Sequence, residues 1–443
     1  MTMTIEATEA GSPPGVWSHP TLRVLLAAET TSMLGTQLSA VAMPWLALQL
    51  TGSASDMGLI MAAQLAAVVV FGFFGAAWTG RIGPRRIMLI GDAVRGPLVA
   101  VLPVLYYLHC LNTATFVVIM FAMGAFYAPY LASQQATLPN VVGEDERLLG
   151  QANAALQSAT RLSVLLGPTL GGLLISLFGA PVVLLLDAVS FAASALLLSR
   201  FLPHAPLRAP VSRRSPVAAL RLLLKDRLLS NWSAGLALGE MAWQALFALL
   251  PVIAVTREGG SSVVAGGLLT AFGGGALTGT LLAGRLMRRV PARTLALVGR
   301  VGLGVAFVAL PLDLGLPGLV GLLLFAGLLN GVSSSPVATV RVLRIPKDRR
   351  PEALTVAAAL ALTGGTVGWV LSGTVAQKAG IIPAFWGLAA LQALAAVLFV
   401  VGAVGTRDPA IPGAMGPRDP AIPPSPSPSP FPSSPAPSVK DSR

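Results

Sequence analysis

The sequence predicts an all-α, polytopic membrane protein of twelve membrane-crossing helices, arranged as two related six-helix bundles. Three observations predict it. Of 443 residues, 54% are hydrophobic and only 11% are Asp, Glu, Lys or Arg, against roughly a quarter charged in an average soluble domain, so a water-facing surface cannot be built. Apolar stretches that match the roughly 20 helical residues needed to cross a bilayer core recur along the chain. The basic residues alternate between the two sides. With the span ends that flank them, segments joining spans 2–3, 4–5, 6–7, 8–9 and 10–11 carry 3, 1, 7, 4 and 5 Lys or Arg, 20 in all, while the opposite six carry only Arg257 and Lys378. The positive-inside rule then places both termini in the cytoplasm and demands an even number of crossings.

Taken in order, residues 1–20 form a cytoplasmic segment. They hold Glu6 and Glu9 but no Lys or Arg, so the basic leader of a cleavable signal peptide is missing. Spans at 23–50, 57–79, 86–108, 113–136, 148–177 and 181–200 make a first bundle, residues 21–200. In-span prolines such as Pro103, Pro168 and Pro336 suit a bundle whose neighbouring helices satisfy freed backbone groups. Residues 201–228 form a cytoplasmic linker in which Pro203, Pro206, Pro210 and Pro216 alternate with basic residues, and Val217–Leu224 reads as a short amphipathic surface helix. Spans at 229–256, 261–284, 291–311, 317–340, 352–376 and 382–404 make the second bundle, residues 229–404. Residues 405–443 repeat Arg-Asp-Pro-Ala-Ile-Pro from Arg407 and from Arg418, then run Pro/Ser-rich, a composition expected to form a disordered cytoplasmic tail.

Two correspondences mark the halves as repeats. Gly75-Ala-Ala-Trp-Thr-Gly80-Arg81-Ile82-Gly-Pro-Arg85-Arg86 is similar to Gly279-Thr-Leu-Leu-Ala-Gly284-Arg285-Leu286-Met-Arg288-Arg289. Pro129 and Pro139 at the end of span 4 precede Asp145 and Ala-Ala-Leu156, as Pro336 and Pro346 precede Asp348 and Ala-Ala-Leu360. Other classes find little support. Cys110 is the lone cysteine and His19, His109 and His204 are scattered, so no metal site or other cofactor is expected. Neither a phosphate-binding loop nor a nucleophile–base pair marks an enzyme. The +12 charge is dispersed over short loops, which disfavours nucleic-acid binding. The partners expected of a monomer are the lipid bilayer and a small molecule.

Several motifs resemble the major facilitator superfamily, and within it the drug and siderophore exporters that include macrolide-efflux proteins and the enterobactin exporter. They are Leu34-Gly35-Thr-Gln-Leu-Ser-Ala-Val-Ala-Met-Pro-Trp-Leu in span 1, Thr51-Gly-Ser-Ala before span 2, Gly80-Arg81-Ile-Gly-Pro-Arg-Arg86, Asp92 with Arg95, and Gly167-Pro168-Thr-Leu-Gly171-Gly172 in span 5. The resemblance covers about residues 20–404. It implies a secondary active transporter in a bacterial-type inner or plasma membrane. Such a protein would export a small amphipathic or hydrophobic molecule, of drug, macrolide or siderophore type, by proton antiport and alternating access. Import or facilitated movement of an organic solute is the alternative, and a membrane enzyme a more distant one. Gly80 departs from the family pattern, which places an Asp before Arg81, and Thr36 and Gln37 are neutral where an Asp often stands.

Ionisable residues inside the spans are the natural functional candidates, because charge in hydrocarbon is costly. These are Glu29, Asp92, Arg95, Arg161, Asp187, Glu240 and Arg300. Asp92 and Arg95 share a helix face and are assigned, with Arg81, Arg85 and Arg86, to a cytoplasmic gate. Glu240 lies amid apolar residues that penalise its charge, which suits proton coupling. Recognition of a cationic substrate, or pairing with Arg161 or Arg300, are its other readings. Arg161 either binds an anionic group or compensates a carboxylate such as Asp187. Gly167 and Gly171 with Pro168 and Gly172, and Gly364 and Gly368, allow close helix approach and are assigned to a moving seam between the halves. Gln37, Tyr127, Trp243 and Phe247 are candidate cavity residues, suited to an amphipathic ligand.

Overall fold

The computed structural model describes residues 20–142, 146–202 and 216–406. The expected segment 1–20 and tail 405–443 therefore fall almost wholly outside the described residues, as do residues 203–215 of the linker. The chain is all-α. The first six helices are α1 (Pro20–Thr51), α2 (Ala54–Ile82), α3 (Pro84–Tyr107), α4 (Thr113–Val142), α5 (Glu146–Phe178) and α6 (Ala180–Phe201). A short helix, α7 (Pro216–Lys225), covers the amphipathic stretch of the linker. Then follow α8 (Arg227–Arg257), α9 (Ser262–Leu286), α10 (Ala292–Val308), α11 (Gly315–Arg344), α12 (Arg350–Ala379) and α13 (Ile381–Ala403).

Among the described residues, eleven helices are long and apolar enough to cross a membrane. The twelfth long helix, α1, is more polar because Glu29, Ser32, Thr36 and Ser39 run along one face of it. Boundaries differ from the expected spans where local chemistry intervenes. The span expected at 291–311 ends as α-helix at Val308, since Pro311 has no N–H to continue the ladder. A 3-10 turn, Leu310–Leu312, and a left-handed Asp313 follow. The span expected at 317–340 runs on to Arg344, which brings Arg341, expected in a loop, inside the helix.

The two sets of six helices pack by the same rule. In the first, α1 packs on α5 and α6, α2 on α4, and α3 on α4 and α6. In the second, α8 packs on α12 and α13, α9 on α11, and α10 on α11 and α13. Details repeat as well. Gly179 joins α5 to α6 and Gly380 joins α12 to α13, each at a positive φ, 84° and 93°, that only glycine adopts without strain. Arg85, the second residue of α3, donates from Nε to the Leu202 carbonyl and from a terminal nitrogen to the Ser199 carbonyl, both at 2.7 Å, at the end of α6. Arg293, the second residue of α10, reaches the carbonyl of Ala403 at the end of α13, that of Thr406 beyond it, and Thr406 Oγ1 at 3.0 Å. Each guanidinium thus satisfies orphan carbonyls at the negative end of a helix dipole.

Between the halves, α2 packs on α12 and α5 on α9. These contacts gather at the membrane face that bears the α1–α2, α5–α6, α8–α9 and α12–α13 turns. There the Ala54 N–H donates to Gln377 Oε1 (3.0 Å), Ser262 Oγ to the Gly172 carbonyl (2.9 Å), and Thr169 Oγ1 to Thr270 Oγ1 (2.7 Å). An apolar core including Leu46, Met57, Val252, Ala265 and Trp369 joins the two halves.

Candidate functional site

A cavity of about 340 Å³ lies between the halves, walled on one side by Gln37, Gln64 and Asp187 and on the other by Gln244, Phe247, Phe272 and Trp369. A second cavity of about 340 Å³ shares Thr36, Gln37, Arg95 and Val164 with it and extends to Glu29, Tyr127, Tyr130 and Gln134. A polar track therefore runs from the centre of the molecule into the first bundle.

Four buried charges line or adjoin that track: Glu29, Asp92 and Asp187 are 1% exposed and Arg95 3%. They come from α1, α3 and α6, and each carboxylate is held by neutral donors. Asp187 accepts from Ser39 Oγ (2.5 Å) and Ser190 Oγ (3.3 Å). Asp92 accepts from Ser194 Oγ (2.7 Å), its other oxygen having no partner among the described residues. Glu29 accepts from Tyr130 Oη (3.0 Å) and from Gln134 Nε2. Gly35 makes the approach of α6 possible, because a Cβ there would strike Ser190 Oγ and Asp187 Oδ1. Arg95 is sandwiched by rings, its guanidinium carbon 4.3 Å from the Phe191 centroid, 5.2 Å from Tyr127 and 5.7 Å from Tyr130, a cation–π setting. Its charge acts on all three carboxylates. Three carboxylates around one guanidinium leave an excess of negative charge that a low-dielectric interior penalises. The cluster is chemically suited to hold protons or an organic cation.

The second bundle carries a different arrangement. Glu240 accepts from Gln244 Nε2 (2.8 Å), and Gln244 Oε1 accepts from Trp369 Nε1 (2.9 Å), a chain that ends at the central cavity. Arg300 is buried on α10 with its guanidinium 5.2 Å from the Phe399 centroid. Each half therefore buries an arginine of its third long helix against a phenylalanine of its sixth.

Several sequence-predicted residues sit elsewhere than expected. The cytoplasmic gate separates: Arg81 and Arg86 are exposed, Arg85 caps α6, and Arg95 lies ten residues farther along α3, about 15 Å at the helical rise. The position of Gly80 falls among residues whose side-chain surroundings are not described. Arg161 is exposed on α5, while the hydroxyls of Ser39 and Ser190 hold Asp187. Trp243 lines neither of these two cavities. It is 5% exposed and packed among Phe247, Phe272 and Phe307, with centroids 5.9, 4.2 and 5.1 Å away. Gln37 and Phe247 face the central cavity and Tyr127 its extension.

The small-residue stripes also divide. Gly167 and Gly171 lie against Gln37 and Leu38 of α1, and Gly364 and Gly368 against Ala237 and Met241 of α8, all within one half. Only Gly172 and Pro168 of the expected set meet the other half, at Ser262 and Gly266 of α9. Other close approaches between halves use Gly58 against Trp369, Gly373 against Ala54 and Gly273 against Val164. Sequence reading missed Ser39, Tyr130, Gln134, Ser190 and Ser194 as carboxylate partners. A signal existed for some of them: Glu29, Ser32, Thr36 and Ser39, and Asp187, Ser190 and Ser194, recur at helical spacing on otherwise apolar helices.

A family model, Major Facilitator Superfamily, matches residues 25–312 and 256–431. Multidrug efflux pump Tap of Mycolicibacterium fortuitum is 27% identical over 396 residues, covering 86% of this chain and 95% of that protein. Enterobactin exporter EntS of Salmonella typhi is 26% identical over 362 residues, covering 80% and 86%. A crystal structure of the nucleoside transporter NupG superposes with a TM-score of 0.70 at 13% identity, covering 86% of this chain and 99% of that one.

Proposed function

The chain belongs to the major facilitator superfamily, a transporter of small solutes and not an enzyme, and from that premise we propose that it exports amphipathic or hydrophobic organic molecules in exchange for protons. The observation that carries this reading is the excess of buried carboxylate beside the central cavity. Asp187 lines that cavity directly and Glu29 lines its extension. Export follows the relatives named for multidrug efflux and enterobactin export. The apolar wall of Phe247, Phe272 and Trp369 suits a hydrophobic ring system.

The moving units are the bundles at 21–200 and 229–404, joined by the linker 201–228, with both termini cytoplasmic as the 20-to-2 basic asymmetry indicates. In that orientation the packed face between halves is the outer one, and the cavity serves the cytoplasm. A substrate enters from inside as Asp187, Asp92 and Glu29 release protons to the cytoplasm. Rocking of the halves then exposes the site outside, where substrate leaves and protons return. Glu240, through Gln244 and Trp369, is the corresponding contact of the second bundle, and Arg95 positions the three carboxylates.

Everted membrane vesicles with an imposed pH gradient test this directly. Wild-type vesicles should accumulate ethidium, a hydrophobic cation. Asp187→Asn should lower gradient-driven accumulation at least about tenfold, the size of effect expected when a proton-transfer group is lost. Unchanged accumulation in that variant, at equal protein level, would remove Asp187 from the coupling site.

A further inference from the structure

The second bundle holds a buried cationic cluster for which proton exchange has no use. Arg300 is 7% exposed, and Arg341 lies in the last turns of α11. Among the described residues neither side chain donates a hydrogen bond. The buried Nε of Arg300, and the buried Nε and one terminal nitrogen of Arg341, have no acceptor. Arg300 feels the charge of the Glu240 carboxylate and that of the Arg341 guanidinium. That carboxylate makes no ion pair with Arg300 among the described residues, and one of its oxygens already accepts from Gln244. A Cβ on Gly239 would stand 3.8 Å from an Arg300 terminal nitrogen and 3.7 Å from Gln392 Oε1, so the missing side chain leaves a methyl-sized space beside both.

A buried arginine with unused donors in fork geometry is matched by a carboxylate or similar oxyanion, which accepts two parallel hydrogen bonds. Within a fixed bundle such donors are retained at a cost unless something fills them. We infer that Arg300 and Arg341 form an anion site in the second bundle that receives an oxyanion of the transported molecule. The inference rests on the export reading and narrows it. With three carboxylates around one guanidinium in the first bundle and unpartnered guanidinium donors in the second, the transporter fits amphiphiles bearing an anionic group, zwitterions included. Glu240 then keeps the unoccupied site from carrying two uncompensated charges.

A matched pair of probes separates this site from the carboxylate cluster. Dansylglycine and dansylcadaverine share one fluorophore and carry opposite charges. Their binding is measured by fluorescence polarisation on the purified full chain in neutral phosphatidylcholine nanodiscs. Dansylglycine should bind the wild type. Arg300→Gln and Arg341→Gln should each weaken it at least about tenfold, as loss of a buried charge partner does, with Arg300→Lys falling in between. Dansylcadaverine should change less than about twofold in these variants, and Asp187→Asn should show the opposite pattern. Equal loss of both probes in the glutamine and lysine variants alike would make the arginines structural and overturn the inference. So would dansylglycine binding no greater than to empty nanodiscs. Full displacement by millimolar inorganic phosphate would assign the site to a free anion and overturn the substrate assignment. Binding is read without transport, so anion binding alongside absent vesicle export would reject the export reading alone.

Discussion

Asp187 shows how little of a buried site one charged residue discloses. As a carboxylate in an apolar stretch it was visible in the sequence, together with Glu29, Asp92 and Arg95, because hydrocarbon penalises charge and bundles bury what they must keep. Its partners were not visible. Ser39 and Ser190 are ordinary in a membrane helix, and only the packing of α1 on α6 makes one of them a donor across 148 positions of sequence. Arg341 was hidden for another reason: it stands three residues before the helix end at Arg344, where a basic residue reads as a loop anchor. Gly35 is the small residue on which the Asp187 contact depends. Gly35→Val should push α6 away from α1 and lower ethidium export at least about tenfold, with the protein still in the membrane. Overpacking of this kind typically costs about 1–3 kcal/mol, and vesicle accumulation set against immunoblot level checks it.

At the scale of whole helices, apolar length fixed where the spans run, and a proline or glycine fixed where several stop. Small residues every four positions announced close approach on α5 and α12. They could not announce the neighbour, because a helix has several faces and each spacing fits more than one of them. Gly167 and Gly364 turn out to seat helices within a half, and Gly172 and Gly373 seat helices across the halves. These classes should respond differently to a bulky side chain. Gly172→Leu meets the backbone at Ser262 and Val263, so it should wedge the packed face apart and shift the population toward the state open there. Gly364→Leu should instead lower the thermal midpoint of the whole bundle. Spin-label distances across α5 and α9, with a melting curve for each variant, distinguish the two. A lengthened distance for Gly364→Leu and none for Gly172→Leu would reverse the assignment.

For the molecule as a whole, the repeat legible in two short motifs extends to every major helix pairing within the halves and to the arginine caps at Arg85 and Arg293. Motif matching had aligned Arg85 with the Arg288–Arg289 pair. The structural counterpart, Arg293, follows a Pro291 break that shifts the register. Alternating access requires the packed face to open, and Thr169 and Thr270 meet there. In a background where Cys110 is replaced, Thr169→Cys with Thr270→Cys should form a disulfide under oxidant, stop transport and recover it under reductant. Full transport in the oxidised, cross-linked protein would show that this face need not part. The most direct test of export by proton exchange is proton movement itself. Proteoliposomes carrying a trapped pH-sensitive dye and no initial gradient are exposed to an inward gradient of ethidium. The account predicts protons leaving the lumen as ethidium enters, through wild type and not through Asp187→Asn. Protons entering together with ethidium, or ethidium movement with no proton flux, would contradict it.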